Sequence, residues 1–362
     1  MRIKKIELVN YRNHGHLLLD EIGKMLIIVG DNAVGKTNII EALQFLCMHE
    51  SFRKPKNEEI IYRKKIQGEE TKATITVDIL SVDNIKQVSF VDNSKVFSYN
   101  KKERPAKEII DIIPAVLFTP DDLHIIKGPP EQRRDMVDSL GTRLSKTFMQ
   151  IKSEYNKALR HKNSLLRQEE VEIALLDSWN INLAKLGSSL TKHRLGLLKQ
   201  LLKEASFFYK KISGGEELEG EYVSLWLQTA EPTEEELYKA LEENREADIS
   251  AKRSLLGPHK DDVYFTIDGD DTRRFASQGQ QRSVALSLKM AEIEILKRVS
   301  GKTPLLLLDD VMSELDARRR KDFVNLIREA SQTVITTTNL GYFDEDFLKG
   351  ATVVELKRNK EV

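Results

Sequence analysis

The chain has 362 residues, 31% charged and 40% hydrophobic, which gives it enough apolar mass for one or two cores. Lysine plus arginine equals aspartate plus glutamate at 57 each, so no overall basic field points to nucleic acid, and any such surface must be a local patch. The single Cys47 excludes an internal disulfide framework or a multi-cysteine zinc site, no run of about 18 apolar residues appears, and MRIKKIELVNYRN lacks the apolar core of a signal peptide; a cytoplasmic protein with no membrane span is expected.

Ile3 to Val9 reads as a strand, and Met25 to Val29 as a second, which feeds a glycine-containing turn and the helical TNIIEALQFLCM. Lys72 to Tyr99 alternates as antiparallel strands, with Asp92, Asn93 and Ser94 as a hairpin turn. After the strand AVLFT, the breakers Gly128, Pro129 and Pro130 open a helical stretch to about Ser213, interrupted at Gly141, Gly187 and Gly196. EYVSLWLQ reads as a strand, and Pro232 opens a helix with an acidic first turn. Beyond Gly257 come the strand VYFTID, a turn at Gly269, a helix entered through SQGQQRS, the apolar run PLLLLDD, another helix and TVITTTN. The simplest architecture is one α/β domain with an antiparallel β part, built from residues 1–128 and 257–362, with a mainly helical lobe, 129–256, inserted between.

Gly30 to Thr37 reads GDNAVGKT, a complete P-loop pattern between a strand and a helix. Its residues Gly30, Asp31, Asn32, Ala33, Val34 and Gly35 turn backbone N–H groups towards phosphate oxygens, Lys36 reaches the β and γ phosphates, and Thr37 can ligate Mg²⁺. ATP with Mg²⁺ is therefore the expected cofactor. Such a loop needs a carboxylate at the end of a neighbouring buried strand, and PLLLLDD supplies Asp309 as metal partner and Asp310 to polarise the attacking water. Read alone, Asp-Asp after a strand is also a turn or helix cap.

The order of P-loop, Ser-x-Gly-Gln helix start, LLLLDD and SELDARRR resembles the ABC-type ATPase heads of SMC and related DNA-maintenance proteins. Within them IELVNYRNH, GDNAVGKTNIIEAL, LFTPDDLHIIKGPPEQRRDMVD, GPHKDD and SQGQQRS resemble segments of the bacterial RecF family, in the same order, from Ile6 to Arg320. The resemblance implies an ABC-type, SMC-head-like P-loop ATPase fold and ATP sandwiched between two protomers of an ATP-dependent homodimer. It further implies Ser277, Gly279 and Gln280 as signature residues acting on the opposite subunit, Ser313 to Asp316 as the D-loop, and Arg12, Asn13 and Asn38 near the nucleotide. Ser277 and a close glycine N–H at a helix start also form an anion site by themselves, although Ser277 reads equally as an N-cap.

Three positions depart from the family pattern: Asp310 stands where a Glu is usual, Thr336 to Asn339 (TTTN) replaces the switch histidine, and TPDD occupies the Gln-loop region. They imply weak, slow hydrolysis. Helical arms of about 40 residues reach roughly 60 Å at most, too short for an SMC coiled coil.

The resemblance also implies DNA binding near single-strand/double-strand junctions, with RecO and RecR as partners in loading recombinase. Two basic clusters are candidates for phosphate contact: Lys146, Lys152, Lys157, Arg160, Lys162 and Arg167 on the first helical arm, and Arg53, Lys54 and Lys56 with Arg63, Lys64 and Lys65. Either run also reads as a solvated face. A P-loop kinase, a nuclease-coupled ATPase and an ATP-gated scaffold with negligible hydrolysis are the competing functions; the first leaves the double Asp and the signature helix without a role. His259 in GPHKDD has no metal-ligand spacing, and its chemistry is open.

Overall fold

The computed structural model describes residues 2–53, 55–61, 72–80, 84–91, 94–109, 112–328 and 332–357. In chain order the elements are β1 (Arg2–Tyr11), β2 (His14–Leu19), β3 (Met25–Val29), α1 (Lys36–Met48), α2 (Asn57–Ile60), β4 (Lys72–Leu80), β5 (Asn84–Val91), β6 (Ser94–Tyr99), β7 (Lys102–Glu103), α3 (Ala106–Ile109) and β8 (Ala115–Phe118). Then follow α4 (Pro130–Leu144), α5 (Lys146–Leu165), α6 (Ile173–Ser213), β9 (Leu218–Val223), α7 (Glu234–Glu243), α8 (Arg245–Ala251), β10 (Asp262–Ile267), β11 (Asp270–Asp271) and α9 (Gln278–Ser300). The chain ends with β12 (Leu305–Asp309), α10 (Ala317–Arg328), β13 (Gln332–Thr337), α11 (Glu345–Lys349) and β14 (Thr352–Glu355).

Two compact units divide the chain, one of residues 1–123 and 296–362, the other of residues 124–295. Residues 257–295, expected with the ATPase part, cluster instead with the helical unit, because β10 pairs antiparallel with β9 along its whole length.

The first unit holds two sheets. One is antiparallel, in the order β2-β1-β4-β5-β6-β7; the other is parallel, in the order β14-β3-β13-β12-β8. In β4 every second residue from Ala73 to Ile79 is buried, the signature of a sheet with one face on a core. Strand β1 buries Ile3, Ile6 and Leu8, a change of parity that a register shift between Ile3 and Lys5 allows. Strands β8 and β12 of the parallel sheet instead read as apolar runs buried at every residue, the pattern of strands covered on both faces. Helix α1 lies in the middle, packed on β8, β12 and β13 of one sheet and on β4 and β5 of the other, and it is buried from Ile39 to Cys47 on every side. The side chain of Gln332 ties the layers: it accepts from the Ile3 N–H at 2.7 Å and donates to the carbonyls of Ile3 and Gly23 at 2.8 and 2.9 Å. The hairpin residues Asp92 and Asn93 lie outside the described residues.

The second unit is built on α5 and α6, with β9, β10 and β11 as a small sheet. None of the three glycines expected to interrupt its helices does so: Gly141 lies within α4, and Gly187 and Gly196 lie within α6. Gly141 and Gly187 serve close packing instead, since a Cβ would stand 2.7 Å from the Phe148 ring and 2.6 Å from Leu237. Among the described residues no helix is long and apolar enough to cross a membrane.

Buried polar groups fasten this unit around the GPHKDD turn. Arg194 on α6 grips Asp138 of α4 through two hydrogen bonds of 2.8 and 2.9 Å and donates to the Pro258 carbonyl at 2.7 Å. Burial works against the Asp138 carboxylate, but Arg194 and Lys152 hold its pKa below the ordinary value. Arg133 is likewise buried, donating to Asp262 and to the carbonyls of Ile125, Ile126 and Gly128. His259 accepts from the Tyr155 hydroxyl at 2.8 Å on Nδ1 and donates from Nε2 to the Ser254 carbonyl at 3.2 Å, which leaves it a packing residue.

Burial pushes the His259 pKa down from 6.5 to about 4, so the folded state keeps a neutral ring where the unfolded chain takes up a proton. Its contribution to stability is complete above 6.5 and is lost as pH falls from there towards 4. The thermal midpoint should therefore drop between pH 7 and pH 5, and His259→Gln should flatten that drop; an unchanged pH profile in the variant would contradict the assignment.

Candidate nucleotide site

The parallel sheet places the P-loop at the carboxyl end of β3 and Asp309 at the carboxyl end of β12, with the end of β13 between them. Ligands bind in this crevice in open α/β sheets. The loop is held tightly: Gly30 N–H donates to the Thr337 carbonyl, and a Cβ on Gly30 would stand 2.5 Å from the Leu356 carbonyl oxygen. Gly35 has φ +106°, a left-handed conformation, and a Cβ there would strike the Asn13 amide at 2.5 Å. Both glycines of the pattern are thus fixed by backbone geometry.

Lys36 begins α1, and its ammonium donates to the Gly30 and Asp31 carbonyls at 2.6 and 2.8 Å. An open cavity of about 210 Å³ lies over the loop, lined by Asn32, Ala33, Gly35 to Asn38, Arg53 and Asp310. Thr336 at the end of β13 donates its hydroxyl to Asp309 at 2.8 Å and accepts from the Asp310 N–H at 3.0 Å. Burial pushes the Asp309 carboxyl up, against the lowering influence of the Thr336 and Thr37 hydroxyls and of Arg53 and Lys36. Burial also raises Asp310; Lys36 opposes the shift, and Asp309 and Glu314 add to it. Asp310 has φ +51°, and its Oδ1 is buried with no hydrogen-bond partner.

These residues fit a nucleotide triphosphate with a hard divalent cation. Lys36 and Arg53 supply positive charge at the cavity, and the P-loop lies at the N-terminus of α1. Thr37 and Asp309 are neighbouring oxygen donors, the small protein set that Mg²⁺ takes when phosphates and water complete its shell. No cluster of three or more His, Cys, Asp or Glu able to hold a metal occurs among the described residues.

The other expected residues fall into distinct places. Asn13 reaches the loop, donating to the Val34 carbonyl at 3.0 Å and accepting from Asn38 at 2.7 Å. Arg12 is turned to Glu41, with hydrogen bonds of 2.9 and 2.6 Å, and to the Glu59 carbonyl, and does not line the cavity. His14, which the sequence offers only as a surface or packing histidine, donates to the Gly35 carbonyl at 3.1 Å. In the second unit Ser277 and Gln280 form a reciprocal capping box at the start of α9, each side chain accepting the other's backbone N–H. Ser277 is exposed, and Gly279 and Gln280 are half-buried; the Gln280 amide also donates to Glu216 at 3.0 Å. In the D-loop segment, Ser313 donates to the Asp310 carbonyl and Asp316 accepts from the Arg319 N–H at the start of α10. Asp122, in the TPDD stretch, accepts from the N–H and hydroxyl of Thr119.

The basic clusters need correction. Lys162 is 1% exposed and paired with buried Asp248 at 2.7 Å, so it cannot reach DNA. Lys152 is drawn to Asp138 at 3.2 Å, whereas Lys157 and Arg160 are exposed on the outer face of α5. Arg53 belongs to the nucleotide cavity, donating to Asn38 at 2.8 Å, while Lys56 is exposed. Lys54, Arg63, Lys64 and Lys65 lie outside the described residues. Thr336, Glu41 and the placement of Arg53 escape a sequence reading. The only hints are a hydroxyl where a histidine was expected and a lone carboxylate inside an apolar helix.

A family model described as RecF/RecN/SMC N terminal domain matches residues 2–360. The DNA replication and repair protein RecF of Lachnoclostridium phytofermentans is 38% identical over 349 residues, covering 95% of this chain and 94% of that one. The protein of the same description from Gloeobacter violaceus is 33% identical over 371 residues, covering 99% and 98%. A solved structure of the recombination mediator protein RecF-ATPrS in the RecFOR pathway matches with a TM-score of 0.86 and 31% identity over 99% of this chain and 96% of that one. An Smc head bound to the C-winged helix domain of ScpA matches with a TM-score of 0.56 at 17% identity over 98% and 94%, a likeness of fold alone. The SMC-head-like α/β fold expected from the motifs is the one these structures share, and the chain belongs to the RecF family within the RecF/RecN/SMC group.

Proposed function

We propose that this chain is an ATP-dependent DNA-binding protein of recombinational repair that dimerises on ATP near single-strand/double-strand junctions, hydrolyses ATP slowly and helps load recombinase with RecO and RecR. The observation that carries the nucleotide reading is the joining of Lys36, Thr37, Arg53 and Asp310 around one cavity, with Asp309 fixed behind it by Thr336. The similarity to RecF proteins named for replication and repair, and to a RecF-ATPrS complex of the RecFOR pathway, supports the wider role.

In this reading the backbone of the P-loop and Lys36 bind the phosphates, while Thr37 and Asp309 hold Mg²⁺, whose charge stabilises the transferred phosphoryl group when bound. Asp310, a carboxylate residue lining the cavity, orients water. Ser277, exposed at the mouth of the 23-residue α9, together with the Gly279 N–H, offers an anion site to the partner's γ-phosphate.

Sedimentation should show a monomer without nucleotide and a dimer with ATP. Ser277→Arg should abolish the dimer and leave ATP binding to the single chain within about twofold; an ATP-independent mass would overturn the sandwich. Asp310→Asn removes the negative charge and basicity of the carboxylate with little change in volume and should slow hydrolysis by about 10²-fold or more while the ATP-bound dimer persists. Wild-type turnover in that variant would return Asp310 to a turn residue. Reversal of Lys157 and Arg160 to Glu should weaken duplex binding and lower the slope of log affinity against log salt by about 2. An unchanged slope would remove α5 from the DNA surface.

A further inference from the structure

We infer that Glu41 is the positioning residue of the nucleotide site, a single buried carboxylate that fixes both turns beside the P-loop, at 12–14 and 51–53; the inference rests on the nucleotide reading above. Glu41 stands in the middle of α1, five residues after Lys36, and is 0% exposed. Its carboxylate takes two hydrogen bonds from Arg12, at 2.9 and 2.6 Å, and one from the Ser51 hydroxyl at 2.6 Å, with Arg53 at 3.9 Å. Ser51 in turn accepts the Arg53 N–H at 3.0 Å, and the Arg53 guanidinium donates to Asn38 at 2.8 Å. Asn38 donates to Asn13 at 2.7 Å, and Asn13 adjoins Arg12, which closes a ring from Glu41 through both turns and back.

The ring touches the phosphate loop on one side and the cavity on the other. Asn13 and His14 hold the Val34 and Gly35 carbonyls, so the backbone that must present its N–H groups is buttressed from residues 13 and 14. Arg53 lines the cavity directly. Arg12 has φ +55°, a conformation that costs energy for a residue with a Cβ and persists only where its surroundings over-determine it. Two salt-bridge bonds to Glu41, a bond to the Glu59 carbonyl at 2.8 Å and a backbone bond to the Ile60 carbonyl at 2.6 Å supply that determination. A helix between two sheets has no need of a carboxylate for its packing, and an isolated buried charge is costly. The carboxylate gives the site what an apolar residue cannot, a common anchor for the turns at 12–14 and 51–53.

The test combines amide hydrogen exchange without nucleotide and equilibrium titration with ATP and Mg²⁺, on wild type, Glu41→Gln and Ser51→Ala. Glu41→Gln should speed exchange at 12–14 and at 51–53 together, with β3 and β12 unchanged, and weaken ATP binding about tenfold or more. Ser51→Ala leaves no buried charge unpaired; it should speed exchange at 51–53 alone and weaken ATP binding about threefold. Faster exchange spread evenly over the unit, or wild-type ATP affinity in folded Glu41→Gln, overturns the proposal. If Glu41→Gln does not fold, Ser51→Ala decides, and wild-type exchange and affinity in that variant overturn it. A wild-type chain that fails to bind ATP overturns the nucleotide reading instead, and the exchange pattern then judges the anchoring role alone.

Discussion

The first unit depends on one constraint, that α1 is buried on all sides yet carries Lys36, Glu41 and Gln44, which are 6%, 0% and 5% exposed. A helix enclosed by two sheets can keep such groups only if each finds partners, since an unpaired buried charge or amide costs several kcal/mol at worst. Lys36 finds loop carbonyls, Gln44 accepts the Phe52 N–H at 2.8 Å, and Glu41 takes Arg12 and Ser51. The segments at 12–14 and 51–53 are thereby drawn against the helix that starts at the phosphate loop. Satisfaction of the core and organisation of the nucleotide cavity are the same set of hydrogen bonds.

The second unit solves a parallel problem around Gly257 to Asp262. Gly257 has φ +129°, and a Cβ there would stand 2.8 Å from the Tyr155 hydroxyl. Pro258 offers its carbonyl to Arg194, His259 bridges Tyr155 and Ser254, and Asp261 accepts from Tyr222 and Ser224 at 2.7 and 2.8 Å. Asp262 holds Arg133 of α4 and Arg273, four residues before Ser277. The turn that was chemically opaque as a string of residues is a knot that joins α4, α5 and α6 to the strand leading to α9. Its polar density reflects how many elements it fastens, which accounts for a histidine without ligand geometry.

Legibility in the sequence followed the kind of constraint. The P-loop was readable because its backbone geometry admits glycine alone at fixed spacing, and β12 because a strand covered on both faces is a bare apolar run. Strands β2 and β14 are illegible in sequence because they are short and half-exposed, with no run long enough to reveal a period. Gly141 and Gly187 read as breaks in sequence because glycine by itself does not distinguish a break from a close approach by Phe148 or Leu237. Lys162 and Lys157 look alike in a basic run, yet Lys162 faces Asp248 and Lys157 faces water. Arg53 reads as part of a basic run because its partner Asn38, 15 residues earlier, becomes a neighbour only when the 51–53 turn folds onto α1.

The departures from the family pattern acquire a physical meaning at the end of β13. Thr336 opens the TTTN stretch that stands in place of the switch histidine, and its one proton is committed to Asp309. Asp310 is one methylene shorter than Glu, and its backbone N–H is held by the Thr336 hydroxyl and carbonyl, at 3.0 and 3.2 Å, in a left-handed conformation. The short side chain therefore cannot regain reach through movement of its backbone without breaking those bonds. In the proposed reading, a restrained acid and a threonine-rich stretch in place of the switch histidine favour holding ATP over consuming it. In the proposed reading that balance sets the lifetime of the dimer on DNA, and hydrolysis serves as the clock that ends it.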